Sequence, residues 1–264
     1  MHPMLNIAIR AARAAGNVII KNMDHVRDLP VNEKGRNDFV TEVDNQAEII
    51  IIETLLKSFP DHAIYAEESG TRGDSDHEWI IDPLDGTTNY LHGFPQFAIS
   101  IALRVDGALE QAVVYDPLKQ ELFTAGRGRG AYLNDRRIRV SRHKHLKGAL
   151  LGTGFPFKEE ARLEDFLATF RALFPATAGI RRAGAASLDL AYVACGRLDG
   201  FWEFGLMPWD IAGGCLLVQE AGGITSAIGG EKDYLTVGDI ISGNPDIHSA
   251  LVREIEAALK NRPN

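Results

Sequence analysis

Residues 3–23 place apolar side chains at Leu5, Ile7, Ala8, Ala11, Ala12, Ala15, Val18 and Ile19. Steps of three and four mark a helix with one apolar face. A polar loop is expected around Lys34-Gly35-Arg36-Asn37-Asp38. Thr41 then opens a second helix that runs to about Ser58 and ends at Pro60-Asp61. Thr41 followed by Asp44 resembles a capping box, so capping is the ordinary structural role for Asp44.

Beyond the second helix the pattern shortens to strands. Ala63 to Ala66 reads as a short strand running into Glu67-Glu68-Ser69-Gly70, and Trp79 to Ile81 as a buried one. Phe97 to Val105 and Ala108 to Tyr115 are joined by Asp106-Gly107, a strong hairpin signal. Glu121 to Ala125 and Ala131 to Val140 continue the antiparallel pattern, with a turn at Asn134-Asp135. The later part alternates: strand 149–153, helix 160–174, a strand near Ile180, helix 187–195, strand 200–204, helix 209–221. The expected class is therefore α/β (α+β), a single domain over 1–264. Its half at 1–145 carries the antiparallel sheet, and its half at 146–264 the α/β alternation.

Composition narrows the function. With 264 residues and 45% hydrophobic content the chain has enough apolar surface for a large core. Its net charge of −8 argues against general nucleic-acid binding. The small basic run Arg142-His-Lys-His-Leu-Lys147 reads as a solvated loop, and is the best sequence handle for an acidic macromolecular partner. Gly126-Arg-Gly128-Arg-Gly130 lies between antiparallel strands and reads as a turn, not a nucleotide loop. Cys195 and Cys215 form no CxxC or zinc spacing and read as buried thiols of a reducing cytosol. Arg10 and Arg13 interrupt the first apolar pattern, so no signal peptide is expected. The longest aliphatic run, Ile49 to Ile52, is too short to span a bilayer. A soluble cytoplasmic protein without membrane contact follows as the expectation.

The candidate chemistry centres on Trp79-Ile-Ile-Asp82-Pro83-Leu84-Asp85-Gly86-Thr87-Thr88. A buried strand here delivers two carboxylates three residues apart. Their repulsion is costly unless something offsets it. A hard divalent cation does so, and oxygen ligands at this spacing suit Mg²⁺. Pro83 fixes the backbone, so that the Leu84 carbonyl can also face the ion. Gly86 and Thr87 then sit at a helix start, where free amides favour an anion such as phosphate. An Asp-rich turn with Asp85 capping the helix is the structural alternative.

Other features converge on the same chemistry. Glu67 and Glu68 end a strand as Asp82 does, and neighbouring strands of one sheet would bring them together. Asp210 stands in the first turn of a helix opened by Met207-Pro208-Trp209, where its dipole placement alone is favourable. Gly184-Ala185-Ala186-Ser187 leads into another helix. Glu203 lies in an otherwise apolar strand and needs a partner unless it faces outward.

These motifs, Glu67-Glu68-Ser69, Asp82-Pro-Leu-Asp85-Gly-Thr-Thr-Asn89, Trp209-Asp210-Ile-Ala-Gly213 and Glu220-Ala-Gly-Gly223, resemble the inositol monophosphatases. These are lithium-sensitive Mg²⁺-dependent phosphatases, and the likeness is greatest to their bacterial SuhB-type members. The resemblance covers essentially the whole chain. It implies a five-layer αβαβα sandwich, a homodimer, and two to three Mg²⁺ ions. By resemblance, Glu67, Asp82 and the Leu84 carbonyl hold the first ion, and Asp82, Asp85 and Asp210 the second. A third, looser ion sits near Glu67, with Asp44 reaching it through water. Gly86 and Thr87 bind phosphate through amides, while the Thr87 hydroxyl and Asp44 orient the attacking water. Gly184, Ala186 and Glu203 contact the alcohol portion. The implied reaction is hydrolysis of myo-inositol monophosphate by water, without a phosphoenzyme. The alternatives are another small phosphate ester (fructose 1,6-bisphosphate, histidinol phosphate, 3′-phosphoadenosine 5′-phosphate) or a regulatory protein with secondary phosphatase activity.

Overall fold

The computed structural model describes residues 2–24, 31–35, 38–157, 159–229 and 233–262. Helices α1 (Pro3–Asn22) and α2 (Glu42–Ser58) lie side by side on one face of an eight-stranded sheet. Between them β1 (Val31–Gly35) and β2 (Asp38–Thr41) pair as an antiparallel ribbon where a loop was expected. That segment lacks the apolar alternation that marks a strand, so its pairing left no trace in the pattern. Arg36 and Asn37 lie outside the described residues.

The large sheet is built from β3 (Ala63–Ala66), β4 (Gly70–Arg72), β5 (His77–Asp85), β6 (Ala98–Val105), β7 (Ala108–Asp116), β8 (Glu121–Gly126), β9 (Gly130–Leu133) and β10 (Arg136–Arg137). Its order is β10-β9-β8-β7-β6-β5-β3-β4, antiparallel throughout except for the parallel pair β3/β5. The expected hairpin at Asp106-Gly107 forms, with both residues at positive φ, 49° and 78°. The strand expected over 131–140 is shorter: β9 turns at Asn134-Asp135 into the two-residue β10.

Alternation along β5 explains the layering. Trp79 and Ile81 point to α1 and α2, while Ile80 points to the opposite face. That opposite face packs on α5 (Ala186–Ala194) and α6 (Pro208–Glu220). Both helices are apolar nearly all round, as helices between two sheets must be. Gly213 lets α6 approach the sheet: a Cβ there would lie 2.8 Å from Ser100 Oγ.

A five-stranded sheet closes the other side. It comprises β11 (Leu150–Thr153), β12 (Gly179–Arg181), β13 (Gly200–Glu203), β14 (Ile224–Ala227) and β15 (Ile240–Gly243), in the order β12-β11-β13-β15-β14. Phe201 and Ile240 face α5 and α6, whereas Leu151, Trp202 and Ile241 face outward onto α4 (Leu163–Leu173) and α8 (Pro245–Lys260). The short α3 (Thr87–Leu91) and α7 (Tyr234–Val237) complete the set. The result is the expected five-layer αβαβα sandwich. No helix among the described residues is long and apolar enough to cross a membrane. Cys195 and Cys215 are free thiols, and burial pushes Cys215 up to about 12.

Candidate active site

The parallel pairing of β3 with β5 sets Ala66 beside Ile81. The next residue, Glu67, donates its amide to the Ile81 carbonyl at 3.1 Å. Glu67 is thereby fixed next to Asp82, as the sequence led one to expect. Asp82 is buried, and its Oδ1 accepts the Leu84 amide at 2.9 Å. Here β5 bulges against β6 between Asp82 and Asp85, and both acids lie at the C-terminal end of this strand.

Glu67, Asp82, Asp85 and Asp210 line one cleft of about 340 Å³ together with Leu84, Gly86, Thr87, Gly184, Ala186 and Glu203. Among the expected site residues, Asp44 alone stands behind the wall of this cleft. Its Oδ2 accepts the Thr41 amide at 2.9 Å, while its Oδ1 lies 3.0 Å from Thr87 Oγ1. Capping and site contact therefore coexist in one carboxylate. Asp210 is similar: it lines the cleft while its Oδ2 accepts the Met207 amide at 2.7 Å.

The electrostatics are those of a crowded acid cluster. Burial holds Asp82 well above the usual carboxylate range, and the charges of Glu67, Asp85 and Asp210 push it further. Burial and then the Asp210 charge raise Asp85 to about 7, against the opposing hydrogen bonds of Ser187. Burial also raises Asp44, opposed by its bonds to Thr41 and Thr87. Among the described residues no three His, Cys, Asp or Glu side chains are grouped tightly enough to enclose an ion. The acids line the cleft as a repelling set, not as a closed shell. The donors on offer, carboxylates and a backbone carbonyl, are all oxygen and fit a hard cation.

Gly86 is required by its backbone. Its φ is +94°, and a Cβ would lie 2.9 Å from the Gln96 carbonyl oxygen. The helix it opens, α3, is only five residues long. Glu203 ends β13 on the same face as Phe201, which turns it inward to line the cleft, where it is half-buried. Burial first, then the Asp189 charge, hold its carboxyl well above the usual range. Gly154 makes room for it: a Cβ there would fall 1.8 Å from Glu203 Oε1.

Three contributors had no role assigned from sequence. Ser187 donates both its amide (2.8 Å) and its hydroxyl (2.5 Å) to Asp85 Oδ2, tying α5 to the end of β5. Asn89 Nδ2 donates to the Gln96 carbonyl at 2.7 Å and the Ala183 carbonyl at 2.9 Å, fastening the Gly184 turn to the cleft. Asp189 is a buried acid on α5, raised by burial and by Asp85. An acid within the apolar run Leu188 to Ala191 was the available signal for it.

Comparison with known proteins settles the ancestry. The profile of the inositol monophosphatase family matches residues 1–260. The chain belongs to the inositol monophosphatase family. A relative from Pseudomonas aeruginosa named "Nus factor SuhB" is 56% identical, over 98% of each chain. The crystal structure of the extragenic suppressor protein suhB from Bartonella henselae matches with a TM-score of 0.94 and 44% identity, covering 97% of this chain and 99% of that one. The inositol monophosphatase structure from Anabaena (Nostoc) sp. PCC 7120 matches with a TM-score of 0.85 and 41% identity, over 98% and 96%. The family supports a phosphatase of this fold.

Proposed function

We propose that this chain hydrolyses myo-inositol monophosphate to inositol and inorganic phosphate by direct, in-line attack of water, with Mg²⁺ and without a phosphoenzyme. The observation that carries this reading is the gathering of Glu67, Asp82, Asp85 and Asp210 on one cleft with Gly86, Thr87 and Glu203. Glu67, Asp82 and the Leu84 carbonyl would hold one ion, and Asp82, Asp85 and Asp210 a second. A third would sit near Glu67, with Asp44 reaching it through water. Bound there, such ions supply a water of lowered pKa and offset the charge of the leaving alkoxide.

The chain's own groups do the rest. Thr87 Oγ1 lies 3.0 Å from both Asp44 Oδ1 and the Leu84 carbonyl oxygen, but it has a single proton. Donated to Asp44, that proton leaves the hydroxyl lone pairs to accept from the attacking water and orient it. The Gly86 and Thr87 amides hold the phosphate, and Gly184 and Ala186 bound the alcohol side. No Ser, Cys or His is among the described residues lining the cleft, which favours water as the nucleophile. The working unit is proposed to be a homodimer.

Glu203 is assigned to the substrate hydroxyls. Glu203→Gln should cost inositol 1-phosphate roughly 1–3 kcal/mol in kcat/KM and leave p-nitrophenyl phosphate far less affected. Equal losses on both would make Glu203 a support of the site's structure and remove the polyol assignment. In the same assay the wild-type chain should prefer inositol 1-phosphate over fructose 1,6-bisphosphate, histidinol phosphate and 3′-phosphoadenosine 5′-phosphate. A marked preference for one of these would replace inositol in the proposal and keep the mechanism.

The name of the Pseudomonas aeruginosa relative favours a second reading, a role as a Nus factor alongside hydrolysis. Recovery of the same macromolecular partners by the wild-type chain and by Asp82→Asn would support a role independent of turnover.

A further inference from the structure

Helix α2 carries two buried acids one turn apart, Asp44 and Glu48. Asp44 serves Thr87, as described above. Glu48 reaches a different part of the site. It is 3% exposed, and its two oxygens accept two successive backbone amides. Oε2 takes the amide of Glu68 at 2.8 Å, and Oε1 that of Ser69 at 2.9 Å. These amides belong to the tight turn between β3 and β4, where Ala66 pairs with Gly70 at a φ of +72°. The turn begins at Glu67, whose own amide is held by Ile81. Three consecutive amides are thus fixed, one by the sheet and two by Glu48.

Glu67 faces a force that this turn must resist. Its carboxylate sits beside that of Asp82, and two charges held that close repel. The turn lies near the sheet edge, because β4 is the terminal strand. A turn there would yield to that repulsion if its amides were free to trade partners with water. Bonds from amides to an ionised carboxylate are about twice as strong as neutral ones, and a bidentate pair also fixes direction.

We infer that Glu48 is a positioning residue for Glu67: it clamps the 67–69 turn from α2 so that the Glu67 carboxylate stays aimed at the cation position. This rests on the metal-dependent reading proposed above. Together with Asp44 it makes α2 the brace for both the water-orienting hydroxyl and an ion-holding carboxylate.

The test is Glu48→Gln. The amide keeps the shape but sets an N–H₂ donor against a backbone N–H donor. Mg²⁺ binding to the substrate-free chain, read by titration calorimetry, should weaken by about 10- to 100-fold. The Mg²⁺ concentration for half-maximal activity should rise in step, with kcat at saturating Mg²⁺ and KM nearly unchanged. Ile51→Val is the control: it trims a buried apolar side chain of the same helix and leaves the Glu48 bonds to the turn in place. It should lower Tm and leave Mg²⁺ affinity alone. A folded Glu48→Gln chain with wild-type Mg²⁺ affinity overturns the inference, as does an equal loss in Ile51→Val. Should Glu48→Gln fail to fold, amide exchange in the metal-free wild-type chain decides. Slow exchange at Glu68 and Ser69 supports the clamp, and exchange as fast as in an open peptide overturns it. A wild-type chain that neither binds nor needs Mg²⁺ would instead sink the metal reading itself.

Discussion

Asp82→Asn should lose at least about three orders of magnitude in turnover, roughly 4 kcal/mol of transition-state stabilisation, while the chain remains folded. Asp82 stands centrally among the acids, close enough to Glu67, Asp85 and Asp210 to feel all three charges. In the proposed site it is the one carboxylate shared by both ions, so its loss disables both. An amide keeps the side-chain volume and can still accept the Leu84 amide bond made by Oδ1. It also removes an ionisable group from a crowded acid set. The metal-free variant should therefore melt at or above the metal-free wild type, not below it. Near-normal activity of Asp82→Asn at saturating Mg²⁺ would remove Asp82 from its proposed place.

Stability of the metal-free chain should fall as pH rises from about 4 to about 7. Asp85 ordinarily titrates at 3.8 and is raised to about 7 in the fold, chiefly by burial and then by Asp210. A group raised in this way binds its proton more tightly when folded than when unfolded. Its stabilising contribution is present below the unfolded value and is lost as pH passes through the folded one. For Asp85 alone the loss is on the order of 4 kcal/mol. Asp82 is displaced in the same direction, so it adds to the loss. Saturating Mg²⁺ should flatten the pH dependence, because a bound cation takes over the proton's task. Denaturant melts across this pH range, with EDTA and with Mg²⁺, provide the check. A metal-free chain that grows more stable toward pH 7 would contradict the repelling-cluster picture.

Legibility in the sequence followed physical signal strength. The amphipathic period of α1, the capping box of α2 and the Asp106-Gly107 hairpin announced themselves locally, and all three form. The β1/β2 ribbon did not, because polar strands held by backbone pairing have no side-chain period. Strands β14 and β15 and helix α8 went unassigned, although Ile247, Leu251 and Ile255 mark an apolar face of α8. The acids of the cleft were legible because a buried carboxylate at a strand end demands an explanation. The partners that steady them were not. Ser187 meets Asp85 across 102 residues of chain, and Asn89 meets Ala183 across 94. Contacts at such separation depend on how α5 and β5 pack, which no local pattern records. Asp44 and Asp210 presented two explanations each, cap or site. In both, one carboxylate caps its helix, and it also contacts Thr87 or lines the cleft.

Release of inorganic phosphate from inositol 1-phosphate by the metal-stripped chain, with and without added Mg²⁺, tests the central claim most directly. No release above background is expected in EDTA, full release on restoring Mg²⁺, and little with Ca²⁺, whose larger size tolerates looser geometry. Undiminished phosphate release in EDTA after exhaustive metal removal would contradict it.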